Sequence, residues 1–285
     1  MPIEVSHLSH VYMPGSPFSA SALEDVSLRI EDGEFAAVIG HTGSGKSTLV
    51  QHFNGLIRPS QGKVLVNGLE LSDPKTSLKE VRRQVGLVFQ YPEYQLFEES
   101  VELDIGFGPK NLGLPKDEIA ARVRQALADV HLPEELLQRS PFDLSGGQKR
   151  RVAIGGVLAM EPSILILDEP TAGLDPRGRE EILSLIQGWH RKGRTIVMVS
   201  HSMDDVSRLA ERVYVMSQGR LAMEGSPAEV FSRPDELLSM GLDLPAAAKL
   251  RAELAKKGFA LPKGIHRMEE IETALLAFFL KGGAA

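Results

Sequence analysis

The sequence predicts an α/β fold with a mainly parallel core sheet and helices on both of its faces. Two observations carry that prediction. Short continuous apolar runs, Phe35–Ile39 and Ile164–Leu167 among them, have the look of strands buried on both faces. Between such runs, apolar residues recur at helical spacing, so that the order strand–helix–strand repeats from 35 to 216 with one helical insertion near 90–160.

Taken in order, residues 3–30 read as short strands: Val26, Leu28 and Ile30 alternate with Ser27 and Arg29, and Asp32-Gly33 supplies a turn. Phe35–Ile39 runs straight into a glycine-rich loop. A helix is expected from about Lys46 to Asn54-Gly55, where glycine suits a C-cap. Val64–Val66 and Val85–Phe89 are two more strands. Gln90 to Gly113 is an unusual stretch in which Pro, Glu and aromatic residues interleave. Asp117 opens a helix that reaches Val130 and carries Ile119, Val123, Leu127 and Val130 on one face. Ile164–Leu167 is a strand stopped by Pro170. Ile182, Leu185, Ile186 and Trp189 mark the apolar face of the next helix, with the single tryptophan in the core. Thr195–Ser200 is a strand, and Arg212–Glu224 a hairpin turning at Gln218-Gly219. Beyond about 225, Pro227, Pro234, Pro245 and Pro262 break the chain into short pieces before a last helix, Met268–Leu280. Met268, Ile271, Leu275 and Phe278 form a stripe on it that needs a partner, either the tail itself or, as the favoured reading, another subunit. This places a boundary near 225–240, between a domain over 1–225 and an appendage over 226–285.

Bulk properties narrow the function. The chain of 285 residues has a net charge of −6, with acids and bases mixed, so no basic block argues for nucleic acid. It has no cysteine, which removes disulfides and thiolate metal sites. No basic stretch followed by an apolar run opens the chain. No apolar run approaches the roughly 20 residues of a spanning helix. The expectation is a soluble protein whose role at a membrane, if any, goes through a partner.

The chemistry begins at Gly40-His41-Thr42-Gly43-Ser44-Gly45-Lys46-Ser47-Thr48, which fits G-x-x-x-x-G-K-[ST] between a buried strand and a helix. Glycines let the backbone fold so that successive N–H groups face phosphate oxygens. The helix that follows adds its N-terminal partial charge. Lys46 reaches the β/γ-phosphates of ATP, and the Ser47 hydroxyl suits Mg²⁺. At the end of Ile164–Leu167, Asp168 and Glu169 would sit at the sheet edge where ligands of open α/β sheets bind. Asp168 would hold Mg²⁺ and Glu169 would orient the attacking water as general base. Leu144-Ser145-Gly146-Gly147-Gln148 is a second anion nest at a helix start, followed by Arg150 and Arg151. A second nest makes sense if it closes over the nucleotide of another subunit.

These motifs, with Gln90 after a strand, Gly173-Leu174-Asp175 and His201, follow the order found in ATP-binding cassette (ABC) ATPases, which about residues 1–225 resemble. The resemblance implies an N-terminal antiparallel β subdomain, a helical subdomain over about 91–160, and two cassettes sandwiching two ATP molecules head to tail. It implies that Gln90 senses Mg²⁺ and the attacking water, that His201 is the switch residue at the γ-phosphate, and that Asp175 lies on the loop crossing the dimer seam. Tyr12 stands where the family places an aromatic ring under adenine, with Phe18 as a rival.

The stretch Tyr91-Pro92-Glu93-Tyr94-Gln95-Leu96-Phe97 to Gly113, His41-Thr42 in the loop, Lys149-Arg150-Arg151 and the tail resemble the second of the two ATPases of energy-coupling factor (ECF) transporters. That resemblance implies a peripheral protein at the cytoplasmic face of a prokaryotic membrane. Its expected partners are a second ATPase subunit, a transmembrane coupling subunit docking near residues 91–110, and a substrate-binding membrane subunit importing vitamins or transition-metal ions. One or more of Glu98, Glu99, Glu102 and Asp104 would receive an arginine from the coupling subunit. Three alternatives stand beside it: the ATPase of a conventional importer, a cassette that closes on ATP without turnover, and a non-transport ABC ATPase acting on nucleic acid.

Overall fold

The computed structural model of the chain describes residues 2–259, 261–262 and 264–280; the last five residues of the expected 226–285 appendage lie outside them. The N-terminal stretch is two long strands rather than several short ones, β1 (Ile3–Tyr12) and β2 (Ala20–Ile30), paired antiparallel. Their alternation is broken by bulges: Ile3, Val5 and Leu8 point inward, and the register shifts between Val5 and Leu8 next to His7, whose φ is 51°. A slipped alternation reads as a strand end in sequence although the ladder continues.

The chain then forms β3 (Phe35–Ile39), α1 (Lys46–Phe53), β4 (Gln61–Val66), β5 (Leu69–Glu70), α2 (Leu78–Gln84) and β6 (Val85–Val88). A single 3₁₀ turn, Pro92–Gln95, precedes α3 (Val101–Leu112), so the unusual stretch after Gln90 is half helix. The following helix, α4 (Lys116–Asp129), starts earlier than expected. Pro115 takes the N-cap position, and Asp117 lies in the first turn instead of opening the helix. After it come α5 (Gly146–Leu158), β7 (Ile164–Asp168), α6 (Pro176–Arg191), β8 (Thr195–Val199), α7 (Met203–Leu209), β9 (Arg212–Ser217) and β10 (Arg220–Gly225). The tail holds α8 (Pro227–Phe231), α9 (Pro234–Ser239), α10 (Ala246–Lys256) and α11 (Met268–Leu280).

Two sheets result. One is antiparallel with order β2-β1-β4-β5; the other has order β10-β9-β3-β8-β7-β6, parallel throughout except for the β9–β10 hairpin. The pleat of the central strands divides the core. Phe35, Ala37, Ile39, Leu165 and Leu167 pack toward Val101, Ile105, Val123 and Trp189. Ala36, Val38, Ile164 and Ile166 pack toward Ile3, Leu8, Leu49 and Phe53, joining the second sheet to the first. This two-sided burial explains why these strands read as unbroken apolar runs.

The stripe on α11 finds part of its cover within the chain. Ile271 is buried with Ala247 and Ile265, and Leu275 packs against the same cluster, while Met268 stays half-exposed. Ile271 is thus covered, and Leu275 partly covered, by the tail itself, the first of the two readings of that stripe. The tail is also fastened to α7, where Ser207 donates to the His266 carbonyl at 2.5 Å and Arg267 donates to the Ser207 carbonyl at 3.1 Å.

Candidate functional site

Register decides which residues meet. Val38 stands opposite Val199 and Asp168 opposite Val199 on the other side, while Val88 stands opposite Leu167. Strands ending in step deliver Gly40, His201, Asp168, Glu169 and Gln90 to one carboxyl edge of the parallel sheet, where open α/β sheets bind ligands.

The loop 40–48 is shaped by backbone needs. Gly45, the N-cap of α1, has φ 99°, and a Cβ there would lie 2.6 Å from the Ala22 carbonyl oxygen. At Gly40 a Cβ would run into the Met216 carbonyl. Lys46 is buried and folds back over the loop, its Nζ donating to the Gly40 carbonyl at 2.8 Å and the His41 carbonyl at 3.0 Å. Burial holds its pKa below the ordinary lysine value, against the opposing pull of Glu169 and Asp168. Ser44 is fully buried and its hydroxyl has no hydrogen-bond partner, which marks it for something the loop encloses. The His41 imidazole Nδ1 lies 2.6 Å from the Thr42 carbonyl, and Gly43 opens on free space. Thr48 sits one turn into α1, with its Oγ1 3.2 Å from the Tyr12 hydroxyl.

Burial raises the Asp168 carboxyl above its usual range; the Ser47 hydroxyl, Lys46 and His201 offset this only in part. A hydroxyl and a carboxylate meeting beside a phosphate loop are hard oxygen donors of the kind Mg²⁺ takes, so Ser47 and Asp168 fit that ion. Glu169 carries more strain. It is a non-glycine residue at φ 51°, held by its N–H to the Val199 carbonyl at 3.0 Å. Its Oε1 is buried without a hydrogen-bond donor. His201 Nε2 lies 3.3 Å from that oxygen, close enough for an ion pair but not aligned as a hydrogen bond. Burial pushes the Glu169 pKa up to about 7; the His201 backbone amide opposes this and the Asp168 charge adds to it. His201 is half-exposed, and burial followed by the Lys46 charge lowers its pKa. Gln90 is exposed at the same edge.

Tyr12 is 41% exposed, and the His10 ring meets it edge-on at 4.7 Å between centroids. Its rival Phe18 is 80% exposed and lacks that support.

The structure does not bring the Leu144–Gln148 nest to this edge. Among the described residues, no hydrogen bond or ion pair joins Ser145, Gly146, Gly147 or Gln148 to the loop 40–48. Ser145 caps α5 in a closed box with Gln148. A Cβ on Gly146 or on Gly147 would meet nothing within 4 Å. Packing inside this chain therefore does not require glycine at either position. Asp175 caps α6, accepting from Gly178 N–H at 2.6 Å, and is exposed.

The arginines after the nest are engaged by carboxylates of this chain rather than left free for a bound phosphate. Arg150 is buried against Glu93, and Arg151 pairs with Glu181. Beside α3 and α5 runs a groove of 490 Å³ whose walls include Leu96, Phe97, Asp104, Phe107, Gly156 and Met160. Of the four acids expected to offer a docking charge, only Asp104 lines it, and Asp104 already accepts the Glu98 amide at 3.1 Å. Glu102 is engaged by Gln138. Two ion pairs at the site escaped the sequence reading, Arg150–Glu93 and Arg179–Asp205; residues 57 and 26 positions apart give no local signal.

Comparison with known proteins agrees with this geometry. The ABC transporter family profile matches residues 23–172. An energy-coupling factor transporter ATP-binding protein EcfA2 from Symbiobacterium thermophilum is 57% identical over 275 residues, 96% of each chain. Its counterpart from Clostridium perfringens is 53% identical over 278 residues, 97% of this chain and 98% of the relative. Among solved structures, CbiO1 of Clostridium perfringens, described as part of the ABC transporter complex CbiONQ, superposes with a TM-score of 0.73 at 41% identity over 87% of this chain and 97% of that one. A bacterial ABC transporter cassette solved as a dimer gives 0.70 at 29% identity over 79% of this chain and 98% of that one. Among the described residues no helix is long and apolar enough to cross a membrane.

Proposed function

The chain belongs to the ABC transporter family, among the ATP-binding proteins of energy-coupling factor transporters, and from that premise we propose how its residues divide the work of an ATP-hydrolysing transporter subunit. ATP lies on the loop Gly40–Thr48, with Lys46 swinging from the loop carbonyls to the phosphates and Tyr12 under the adenine. Ser47 and Asp168, with Gln90 beside them, would hold Mg²⁺, which neutralises phosphate charge. Glu169 orients and deprotonates the attacking water, and His201 holds the γ-phosphate end of the site.

The observation that carries this reading is the orphaned, buried Oε1 of Glu169 with its pKa near 7, next to His201 and on the same edge as Lys46. A carboxylate that burial makes easier to protonate, with an oxygen free of hydrogen-bond donors, is suited to take and return a proton.

Hydrolysis needs a second subunit, with the Ser145–Gln148 nest of each closing over the nucleotide of the other and Asp175 at the seam. The open space in front of Gly146 and Gly147 supports this. A transmembrane coupling subunit occupies the groove beside α3 and α5, placing the chain at the cytoplasmic membrane face, and a separate membrane subunit binds the imported vitamin or metal ion.

The test is Glu169→Gln in the assembled transporter. Loss of a general base lowers turnover by about 100-fold or more, while Mg-ATP binding on the loop is retained. Turnover within threefold of the wild type would refute the role given to Glu169.

A further inference from the structure

A single buried guanidinium joins three segments that the sequence keeps far apart. Arg150, on the first turns of α5, is only 2% exposed. Its Nε donates to Glu93 Oε2 at 2.9 Å and its Nη2 to Glu93 Oε1 at 2.7 Å, a two-pronged pair with the turn that follows Gln90. Its remaining nitrogen, Nη1, donates to the carbonyl of Ala172 at 2.7 Å and of Pro170 at 3.3 Å, in the loop that follows Glu169. Tyr91 reinforces the joint. Its ring lies 5.8 Å from the guanidinium carbon, and a Cβ on Gly173 would come within 3.2 Å of its edge. Although burial alone would raise it, the Arg150 guanidinium holds the Glu93 carboxyl below the usual range.

We propose that Arg150 is a positioning residue for hydrolysis, locking the turn after Gln90 to the loop after Glu169 so that the two shift together. The physical ground is the cost of burying a guanidinium. Desolvation is offset only while its acceptors are all in place, and the planar fork fixes their relative directions. Separating the Glu93 turn from the Pro170–Ala172 loop strands a buried charge, so intermediate arrangements are disfavoured. Arg150 makes no hydrogen bond to the loop 40–48; it acts through the segments that follow Gln90 and Glu169.

The joint also reaches the groove. Gln95, Leu96 and Phe97, two to four residues beyond Glu93, form part of the groove wall. On the proposed reading of that groove as the docking site, an occupant that displaces this wall pulls Glu93, and through Arg150 the carbonyls next to the catalytic glutamate.

The experiment uses the full chain, and it reads the joint whether or not the groove binds a partner. Hydrogen exchange is followed at Ala172 and Leu174, whose amides donate to the Glu169 and Thr171 carbonyls at 3.1 and 3.3 Å. ATPase parameters are measured on the same proteins within the assembled transporter. Glu93→Gln alters one heavy atom, at a side chain that makes no hydrogen bond or ion pair of its own with the 170–172 loop. It nevertheless raises exchange at Ala172 and Leu174 by about tenfold, the order expected when a charge-assisted bond is lost. Arg150→Met does so at least as strongly. Both lower kcat by about tenfold or more and leave KM within about twofold, because loop 40–48 is intact. Arg150→Lys does not restore kcat, since an ammonium cannot fork. If Glu93→Gln leaves exchange at Ala172 and Leu174 within twofold of the wild type, or if kcat is kept in the variants, the proposal is overturned. Should Arg150→Met fail to fold, Glu93→Gln, at a side chain still 16% exposed, decides alone. A groove that binds nothing, with exchange still transmitted, would refute the docking reading and leave the joint standing.

Discussion

Protonation of buried His52 is expected to weaken this protein in acid, and a leucine in its place should remove that share of the sensitivity. His52 is fully buried on α1, directly behind the phosphate loop. Its Nδ1 donates to the Thr48 carbonyl at 2.7 Å, so Nε2 is the nitrogen that would accept a proton, and that atom has no hydrogen-bond partner. The His10 ring packs edge-on at 4.9 Å and offers no anion. Burial is the main cause that lowers the His52 pKa from 6.5 to about 4, with the nearby His10 adding to it and the Thr48 and Arg58 backbone opposing. The proton therefore binds the unfolded chain more tightly. The contribution to stability is complete above pH 6.5 and is lost as the pH falls from 6.5 towards 4. Those two values give a loss of about 2 kcal/mol at pH 5 and almost none at pH 7.5. His52→Leu keeps an apolar filling of similar size but gives up the Nδ1 hydrogen bond, a cost of about 1 kcal/mol. The variant should be less stable than the wild type at pH 7.5 and more stable at pH 5. Urea unfolding of both full chains, followed by circular dichroism at the two pH values, measures this. A difference between the two proteins that is the same at pH 5 and pH 7.5 would refute the reasoning.

Two further outcomes bear on the site. Tyr12→Ala raises the KM for ATP about tenfold, the size of a lost base-stacking contact, whereas Phe18→Ala leaves it unchanged; the opposite pattern would move the adenine platform to Phe18. Gly147→Ala stabilises the isolated chain slightly, by up to about 1 kcal/mol in thermal melts, because alanine favours helix and meets open space. In the assembled transporter the same change lowers turnover by more than about tenfold, and unchanged turnover would count against a phosphate facing that glycine.

Much of this was legible in the sequence because the parallel strands are buried on both faces. An unbroken run such as Ile164–Leu167 has one plausible use, and polar residues placed immediately after it must fall at the sheet edge. Helix α3 escaped because its composition argues against it. Gly106, Gly108 and Pro109 are poor helix residues, yet they serve packing: a Cβ on Gly108 would press within 2.8 Å of Met160. Close approach of α3 to its neighbours overrides local propensity. The bulges of β1 and β2 hid their length by breaking the alternation. Within the site, the motifs marked residues that the strand register gathers at one sheet edge, Gly40, Gln90, Asp168, Glu169 and His201. What they did not mark was conformation and long-range pairing. Neither the left-handed backbone of Glu169 nor the bond from Arg150 to Glu93 follows from spacing along a single chain.

The two halves of the chemistry also differ in how satisfied they are. At the sheet edge, Ser44 and Glu169 each leave a buried polar atom without a partner, and Glu169 adds a strained backbone. Such costs, of about 1–3 kcal/mol for each buried group and similar for the backbone, persist where a ligand is to relieve them. The nest at Ser145–Gln148 is the reverse. Its capping box already occupies the Ser145 hydroxyl and the Gln148 amide and side chain. What it leaves are the N–H groups of Gly146 and Gly147, which stand too early in α5 to bond within the helix. A Cβ on either glycine would meet nothing within 4 Å, which leaves room for a group to approach, and the positive end of the helix favours an anion. On the proposed reading, one half of this protein would be relieved by its own nucleotide and the other would serve a nucleotide held by a second subunit. That asymmetry is why turnover is expected to depend on assembly while binding to Gly40–Thr48 does not.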